Sequence, residues 1–314
     1  MSLHWSDEVI PLKYYLGEIE LFDASLKLSV LKTNLHSIFL LKDREVDLKP
    51  SVSGETELLL RSFPVAILQE EKNKRETFFF YCADDYKRYY TKTIGSFDDY
   101  LSNNFSSKSR STFRRKVKKY LKGQPDDCFK VYKTEDEIVD FHRLARDISS
   151  KTYQERLLDC GLPESTDFLE SAKKLARADQ VRGYLLFRDG DPVSYVYSPV
   201  VERVATYQYV GFDPSLSKLS PGAVLQWFIL MSVFDEENID YFDYTEGEGG
   251  HKSLFSDGYV ECADVYVLKK TLRNKLLIVS HKMNRNFNAW LVSFLDRLGI
   301  KKILKKMIRR FVNK

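Results

Sequence analysis

The chain has 314 residues, of which 43% are hydrophobic and 30% are charged, with 49 Lys and Arg against 45 Asp and Glu. This balance excludes an intrinsically disordered protein, and the length allows two ordinary domains or one large core. No apolar run reaches the roughly 18 residues that a membrane-spanning helix needs, and the first residues lack the basic start and apolar stretch of a signal peptide. We therefore expect a cytoplasmic protein.

The four cysteines are widely spaced and form neither a CxxC motif nor a Cys/His cluster. They are Cys82, Cys128, Cys160 and Cys262. Spacing of this kind is typical of reduced, packed thiols and gives no support for a zinc site. We expect no metal.

Positive charge is concentrated at the end of the chain. Residues 265–314 contain 14 Lys and Arg against the single acid Asp296, which leaves 35 basic and 44 acidic residues for the rest. A mildly acidic body with a basic tail indicates a polyanionic partner surface, either anionic lipid or nucleic acid.

The first 92 residues predict a small mixed α/β region. Three short apolar runs, at residues 38–41, 58–60 and 78–82, have the length and composition of buried strands. Polar breaks separate them.

A long amphipathic helix is predicted next, over residues 97–121, with Ser96 as its cap and Gly123 near its end. One face is apolar and the others are basic. A basic helix face is usually solvent-exposed, and only Arg114 is retained as a candidate contact for phosphates.

The segment from about 125 to 270 predicts an α/β domain. Helices and strands alternate in it, and Asp189-Gly190 marks a hairpin. The predicted elements are a strand at 129–132, helices at 135–158 and 166–178, strands at 182–187, 193–197 and 204–210, a helix at 221–234 and a strand at 239–243.

A candidate anion site lies where the helix at 221–234 begins. Ser220 suits the N-cap, Pro221 suits the first helical position, and Gly222 leaves room for a ligand. Free backbone N–H groups and the positive end of the helix dipole favour phosphate or pyrophosphate. The alternative is a capped core helix that needs no ligand.

Polar residues near the neighbouring strands provide candidate chemistry. Acyl transfer to an amine or hydroxyl requires a base and an oxyanion donor. Glu246 or His251 is the candidate base, and Lys252 is a candidate point charge for phosphate or oxyanion. The candidate donor is a backbone N–H among Tyr209, Val210 and Gly211. The alternative is a solvated loop.

No Cys or Ser stands in a nucleophile–base pattern, so the sequence favours direct transfer without a covalent enzyme intermediate.

The tail beyond Thr271 predicts two amphipathic helices. We expect the first, with its stripe from Phe287 to Leu298, to dock on the body. The second, over residues 300–314, has the composition of a helix lying on an anionic membrane; duplex nucleic acid is the alternative.

Several short motifs occur in the order found in a known family. They are Ser96-Phe97-Asp98-Asp99-Tyr100-Leu101, Phe113-Arg114-Arg115-Lys116, Gly211-Phe212-Asp213-Pro214, Ser220-Pro221-Gly222, Asp243-Tyr244 and Lys252-x-x-Phe255. Together they resemble the GNAT-like acyltransferases of the cellulose-biosynthesis (CelD-type) group, which are related to the Fem aminoacyl transferases. The resemblance covers residues 93 to about 270.

This resemblance implies an α/β fold with a GNAT-like mixed sheet flanked by helices. A partial N-terminal GNAT-like half would occupy residues 1–122, a complete one residues 123–270, and a basic amphipathic helical tail residues 271–314. It also implies acyl-CoA as co-substrate, with the Ser220-Pro221-Gly222 helix start on its pyrophosphate. Lys252 would then face the acceptor or a phosphate.

The implied function is transfer of an acyl group from an acyl-CoA or acyl-carrier thioester to an amine or hydroxyl acceptor, including saccharides, in cell-surface polysaccharide or envelope biosynthesis. The protein would work at the inner face of the cell membrane, held there by residues 300–314. The alternatives are a Fem-like transferase that uses aminoacyl-tRNA and a non-catalytic, membrane-associated GNAT-like scaffold.

Overall fold

The computed structural model describes residues 5–17, 19–43, 56–125, 127–152, 161–247 and 249–297. The chain forms two compact units, one from Met1–Asp85 with Cys262–Lys314 and the other from Tyr86–Glu261. Two strands continue from one unit into the other. These are β4 (Phe78–Lys92) and β11 (Gly258–Lys269).

The first unit has the strand order β1-β2-β3-β11-β4. Strands β1 and β2 form a long antiparallel hairpin, β2 and β3 are parallel, and β3 and β11 are antiparallel. Its other elements are β1 (Trp5–Leu16), β2 (Ile19–Lys32), α1 (Leu35–Asp43), β3 (Leu58–Pro64), α2 (Val65–Lys74) and a C-terminal helix.

The sequence prediction differs from this unit in two places. Residues 38–41 form part of helix α1 and not a strand, because the Asn34 side chain accepts the Ser37 N–H at 2.7 Å and caps the helix. The β1–β2 hairpin was not predicted. Its strands expose apolar residues such as Val9 and Phe22, which hides the alternation that identifies a strand.

The second unit contains a mixed sheet in the order β11-β4-β10-β8-β7-β6-β5, with β9 paired to β7. Strands β8 and β10 run parallel, while β5 to β8 form antiparallel neighbours. Helices α3 and α4 lie between β4 and β5 in the chain. The elements are α3 (Phe97–Asn104), α4 (Ser107–Leu121), β5 (Phe129–Tyr132), α5 (Glu135–Ser149), α6 (Thr166–Arg177), β6 (Val181–Arg188), β7 (Asp191–Val201), β8 (Val204–Thr206), β9 (Tyr209–Phe212), a 3-10 helix (Pro214–Leu219), α7 (Pro221–Phe234), β10 (Tyr241–Asp243) and α8 (Gly250–Phe255).

The prediction of one helix over residues 97–121 is wrong. The structure has two helices, because two serines act as successive N-caps. The Ser96 hydroxyl accepts the Asp99 N–H, and the Ser106 hydroxyl accepts the Ser109 N–H at 3.2 Å. Phe105, between the two helices, is buried in the core.

Helix α7 is the centre of the second unit's main core. Val224, Ile229, Leu230 and Val233 are almost fully buried against the sheet and helices α3 and α4. Each buried side chain of this kind contributes roughly 1.5–3 kcal/mol relative to exposure. The helix is therefore held firmly, and its first turn is a fixed platform.

The predicted α/β fold with a mixed sheet flanked by helices and a C-terminal helix is confirmed. The compact units divide the chain after residues 85 and 261. The predicted GNAT-like halves at residues 1–122 and 123–270, and the tail at residues 271–314, stay predictions.

The C-terminal helix α9 spans Leu272–Arg297. It begins at Thr271, whose hydroxyl accepts the Asn274 N–H at 3.2 Å. The second helix predicted for the tail lies outside the described residues. In the part of the chain that the structure describes, no helix has the length and apolar content needed to cross a bilayer.

Candidate active site

The sheet of the second unit opens where β8 and β10 stop pairing. Thr206 and Asp243 form the last residue pair of this parallel ladder, and the Tyr207 N–H then donates to the Asp243 carbonyl at 2.8 Å. Beyond this point the next strand, β9, pairs with β7 and not with β10. The edge of β9 that faces away from β7 is therefore left without a neighbouring strand among the described residues.

The ladder between β7 and β9 determines which amides face this open edge. Tyr195 pairs with Gly211, and the Asp213 N–H donates to the Val193 carbonyl at 2.8 Å. In an antiparallel ladder, alternate residues direct their N–H and C=O groups to the partner strand and the others direct theirs away. The N–H groups of Val210 and Phe212 thus point away from β7.

The first turn of helix α7 offers a second free amide. Pro221 has no N–H, and the Ala223 N–H bonds to the Ser220 carbonyl at 3.1 Å. Among the described residues the Gly222 N–H has no hydrogen-bond partner. An orphan amide at the positive end of a 14-residue helix is a donor suited to an anion.

Ser220 does not cap the helix in the way that the sequence predicted. It occupies the N-cap position with a left-handed backbone, φ 55° and ψ 48°, and its side chain makes no cap hydrogen bond. The preceding 3-10 helix produces this conformation, since the Ser220 N–H bonds back to the Ser217 carbonyl at 3.0 Å. The hydroxyl is consequently not committed to the helix end.

A cavity of about 260 Å³ lies beside β9 and the start of α7. Its walls include five of the six residues predicted to bind a cofactor, namely Val210, Gly211, Ser220, Pro221 and Gly222. The side chain of the sixth, Tyr209, packs elsewhere, against Phe168 and Tyr197.

Gly211 and Gly222 both line the cavity, but the fold leaves space for a side-chain methyl group at only one of these two positions. A Cβ at Gly211 would lie 2.5 Å from the Tyr195 ring and 2.8 Å from the Thr152 methyl group, so packing requires glycine there. A Cβ at Gly222 would meet nothing nearer than Phe212, at 3.6 Å, which is ordinary contact. The fold therefore does not require glycine at Gly222.

Gln226 is a polar residue of the cavity that the sequence analysis missed. Only 3% of it is exposed, and neither its amide oxygen nor its amide nitrogen has a hydrogen-bond partner among the described residues. An unsatisfied buried polar group costs about 1–3 kcal/mol. The sequence feature that could have identified Gln226 is its side-chain amide, a polar group in an otherwise apolar helix.

Tyr207 also lines the cavity and was not identified as a site residue. Burial raises the pKa of its phenol above the ordinary tyrosine value, so the hydroxyl stays protonated. The ring packs against Phe242 and Tyr244 at the point where the sheet opens. The cavity thus has a phenolic proton donor in its wall.

A buried ion pair secures the end of β10. The Arg88 Nη2 atom lies 2.6 Å from the Asp243 Oδ2 atom, and Arg88 Nε lies 3.1 Å from both carboxylate oxygens. Asp243 also accepts the Thr245 N–H at 2.9 Å. Asp243 is fully buried and Arg88 nearly so. The carboxylate therefore shapes the loop that follows the strand.

Two of the predicted catalytic residues lie in and after this loop, outside the cavity wall. Lys252, on α8, donates through Nζ to the Glu246 carbonyl. Burial lowers the pKa of Lys252, an effect that the negative charges of Asp243 and Glu246 oppose and the positive charge of Arg88 assists. The Glu246 side chain is exposed.

The other residues of this loop are only partly described. His251 belongs to helix α8, but its side chain lies outside what the structure describes, as does Glu248. In the described part of the chain no cluster of three or more His, Cys, Asp or Glu residues could hold a metal ion.

Comparison with known proteins identifies the segment that carries this site. Residues 107–253 match the family model described as "Acetyltransferase (GNAT) domain". This segment of the chain is therefore similar to a GNAT acetyltransferase domain, the superfamily that the motifs resemble. No curated protein matches the chain. The narrower cellulose-biosynthesis grouping stays a prediction.

Solved structures resemble the whole fold at low sequence identity. FemX matches with a TM-score of 0.53 and 11% identity over 87% of this chain and 90% of that chain. The C-terminal domain of a protein from Agrobacterium fabrum, named as a lysylphosphatidylglycerol synthetase, matches with 0.50 and 10% over 72% of each chain. A conserved protein of unknown function from Bacteroides thetaiotaomicron matches with 0.50 and 16% over 85% of this chain and 86% of that chain. These similarities concern the fold alone.

The Arg88–Asp243 pair generates a prediction about stability. Asp243→Asn leaves the buried guanidinium without its counter-charge, so we expect the free energy of unfolding to fall by about 3–5 kcal/mol. Asp240→Asn is the matched control, because its pair with Arg203 is much more exposed and solvent screening leaves it little effect on stability. Urea denaturation measures both. Equal losses in the two variants would contradict the role assigned to Asp243.

Proposed function

We propose that the protein is an acyltransferase that moves an acyl group from an acyl-CoA thioester to an amine or hydroxyl acceptor. The observation that carries this proposal is the open edge of β9 beside the free first turn of α7. The Val210 N–H on β9 is placed to donate to a carbonyl oxygen, and the Gly222 N–H on α7 is placed to donate to a phosphate. The GNAT domain match at residues 107–253 supports the reaction class.

The residues beside α7 fit the diphosphate of a CoA donor. The Gly222 N–H, the Ser220 hydroxyl and the helix dipole provide donors and positive potential at one point. The Ser217 hydroxyl lines the same cavity. Gly222 has no packing reason to lack a side chain, and a ligand that approaches the backbone closely provides one.

The residues beside β9 fit the reacting end of the donor. A bound thioester supplies an activated carbonyl carbon and a thiolate leaving group. We assign the Val210 N–H to the carbonyl oxygen, where its hydrogen bond strengthens as negative charge develops. Tyr207, kept protonated by burial, is assigned to protonate the departing sulfur. Direct transfer needs no nucleophile from the chain.

The loop after β10 is assigned to the acceptor side. Glu246 and His251 are the proposed bases, and Lys252 the proposed charge beside acceptor or phosphate. The lowered pKa of Lys252 makes its neutral form more accessible than that of an exposed lysine. Lys252 is therefore also suited to receive a proton from the acceptor.

The acceptor and pathway rest on the motif resemblance to the cellulose-biosynthesis group. We propose a saccharide acceptor in cell-surface polysaccharide or envelope biosynthesis. The proposed location is the cytoplasmic face of the membrane, with residues 300–314 as the attachment. Those residues lie outside the described part of the chain.

A second candidate is a Fem-like transferase that takes aminoacyl-tRNA, and helix α4 favours it. In the described part of the chain, the structure pairs none of the Lys and Arg residues of α4 with an acidic side chain. Such a surface suits a nucleic acid backbone. Binding of tRNA that weakens steeply with salt, together with no binding of acyl-CoA, would establish this candidate, whereas no binding of either would favour a non-catalytic scaffold.

The two glycines of the cavity wall provide the test of donor binding. Gly222→Ala should leave the melting temperature unchanged or slightly higher, because the methyl group has room and the unfolded chain loses freedom. Its affinity for CoA, measured by calorimetry, should fall about tenfold or more. Gly211→Ala should instead lower the melting temperature through overpacking. Unchanged CoA affinity in Gly222→Ala would contradict the phosphate assignment.

The loop residues generate a prediction about turnover. Glu246→Gln and Lys252→Ala should each lower kcat about 100-fold or more without unfolding the protein, in line with the loss of a proton-transfer group. Lys174→Ala, an exposed lysine on α6, is the control. If Lys252 acts as a base, kcat rises with pH as the lysine loses its proton, and this rise forms one limb of the pH–rate profile. Because the pKa of Lys252 is lowered, the limb lies at lower pH than an exposed lysine would give. Lys252→Ala should abolish the limb, and wild-type rates in both variants would remove them from the mechanism.

A further inference from the structure

Helix α9 leaves many of its large apolar side chains exposed to solvent. Seven of them are between 45% and 74% exposed and form a continuous stripe along the helix, which we call the α9 stripe. Its members are Leu272, Leu276, Val279, Met283, Phe287, Trp290 and Phe294. The sequence-based expectation that residues 287–298 dock on the body through Phe287, Trp290 and Phe294 is therefore wrong for these three.

The opposite face of α9 attaches to the first unit through polar side chains. Asn284 exchanges two hydrogen bonds with the Tyr15 backbone, both at 3.0 Å. The His281 ring bonds to the Tyr81 hydroxyl, and Asn274 donates to Glu57 at 2.6 Å. A helix on a globular protein normally faces inward with its apolar side. The inward face of α9 also buries Ile278 in the core of the first unit, but the seven side chains of the α9 stripe point the other way, which indicates a partner for that face.

The spacing of the α9 stripe indicates a flat partner. Consecutive members of the stripe are one helical turn apart. From Leu272 to Phe294 the stripe therefore advances 22 residues in six turns, which is about 3.67 residues per turn. Left-handed coiled coils need 3.5, whereas 3.67 is close to the 3.6 of a straight helix, so the α9 stripe lacks the period of a left-handed coiled coil. At 1.5 Å per residue the stripe runs straight for about 33 Å.

The charges beside the α9 stripe indicate an anionic partner. At 100° per residue Arg273 and Lys275 lie on opposite sides of it, and Lys282 lies beside it farther along. The sequence has no Asp or Glu from residue 265 to residue 295. Two copies joined through their stripes would bring these cations together, whereas an anionic surface attracts them.

We propose that α9 lies in the plane of an anionic lipid bilayer, with the α9 stripe in the boundary between headgroups and acyl chains. The cations beside it contact the phosphate headgroups. This surface is distinct from residues 300–314, and the inference does not depend on the acyltransferase assignment.

The test uses sedimentation of the full chain with vesicles of 70% phosphatidylcholine and 30% phosphatidylglycerol. We expect wild type to bind these and to bind pure phosphatidylcholine at least tenfold more weakly. Leu276→Gln, Met283→Gln and Trp290→Gln together should reduce binding at least tenfold, with helicity retained because the replaced side chains are exposed. Ile94→Gln, which alters a 71%-exposed apolar residue elsewhere, should bind as wild type.

Wild-type vesicle binding by the triple variant would overturn the proposal. A second full-length variant separates α9 from the tail by replacing Lys301, Lys302, Lys305, Lys306, Arg309 and Arg310 with Gln. Residual binding that depends on the α9 stripe supports the proposal, and complete loss of binding in this variant would overturn it. Sedimentation without vesicles gives the last outcome: a wild-type dimer that the triple variant converts to monomer would show that a second copy covers the stripe.

Discussion

The hydrogen bond from the Tyr207 N–H to the Asp243 carbonyl is the last link between two strands that then separate, and the candidate site depends on this separation. If β9 continued beside β10, the outward N–H groups of β9 would form hydrogen bonds with β10 and would not be available to a ligand. Because β7 is the only strand among the described residues that pairs with β9, the outward Val210 N–H has no strand partner in that part of the chain. Buried backbone groups are almost always paired, so a free edge inside a fold marks a place where a ligand completes the pattern.

Packing on both sides keeps this opening in place. On one side the Tyr195 ring and Thr152 press against Gly211 and fix β9 on β7. On the other, Arg88 binds Asp243 and directs the chain into the loop that carries Glu246 and Lys252. Helix α7 is buried on nearly every side, and this rigidity holds the Gly222 amide beside β9. The groups that we propose for the donor and the acceptor are thereby positioned by a tightly packed core.

The grouping of Val210, Gly211 and Ser220 to Gly222 around one cavity could be predicted from the sequence, because they are close along the chain and a strand–turn–helix pattern brings them together. Their proposed role in donor binding stays a prediction. The acceptor side could not. Arg88 meets Asp243 across 155 residues, and no local pattern announces that pair. In the sequence Gln226 is one polar residue in an apolar helix, and only the fold shows that its amide is buried with no hydrogen-bond partner among the residues that the structure describes. The sequence pattern predicted an apolar stripe only from Phe287 to Leu298, and the orientation of helix α9 depends on hydrogen bonds to β1 that no local pattern contains.

The most direct test of the central claim observes the two free amides themselves. Amide NMR of the isotope-labelled chain, titrated with CoA and then with an acyl-CoA, reports on each backbone N–H separately. The account predicts that CoA shifts the Gly222 resonance, that the acyl thioester additionally shifts Val210, and that Val233, at the far end of α7, stays in place. Binding that leaves both Gly222 and Val210 unchanged would contradict it.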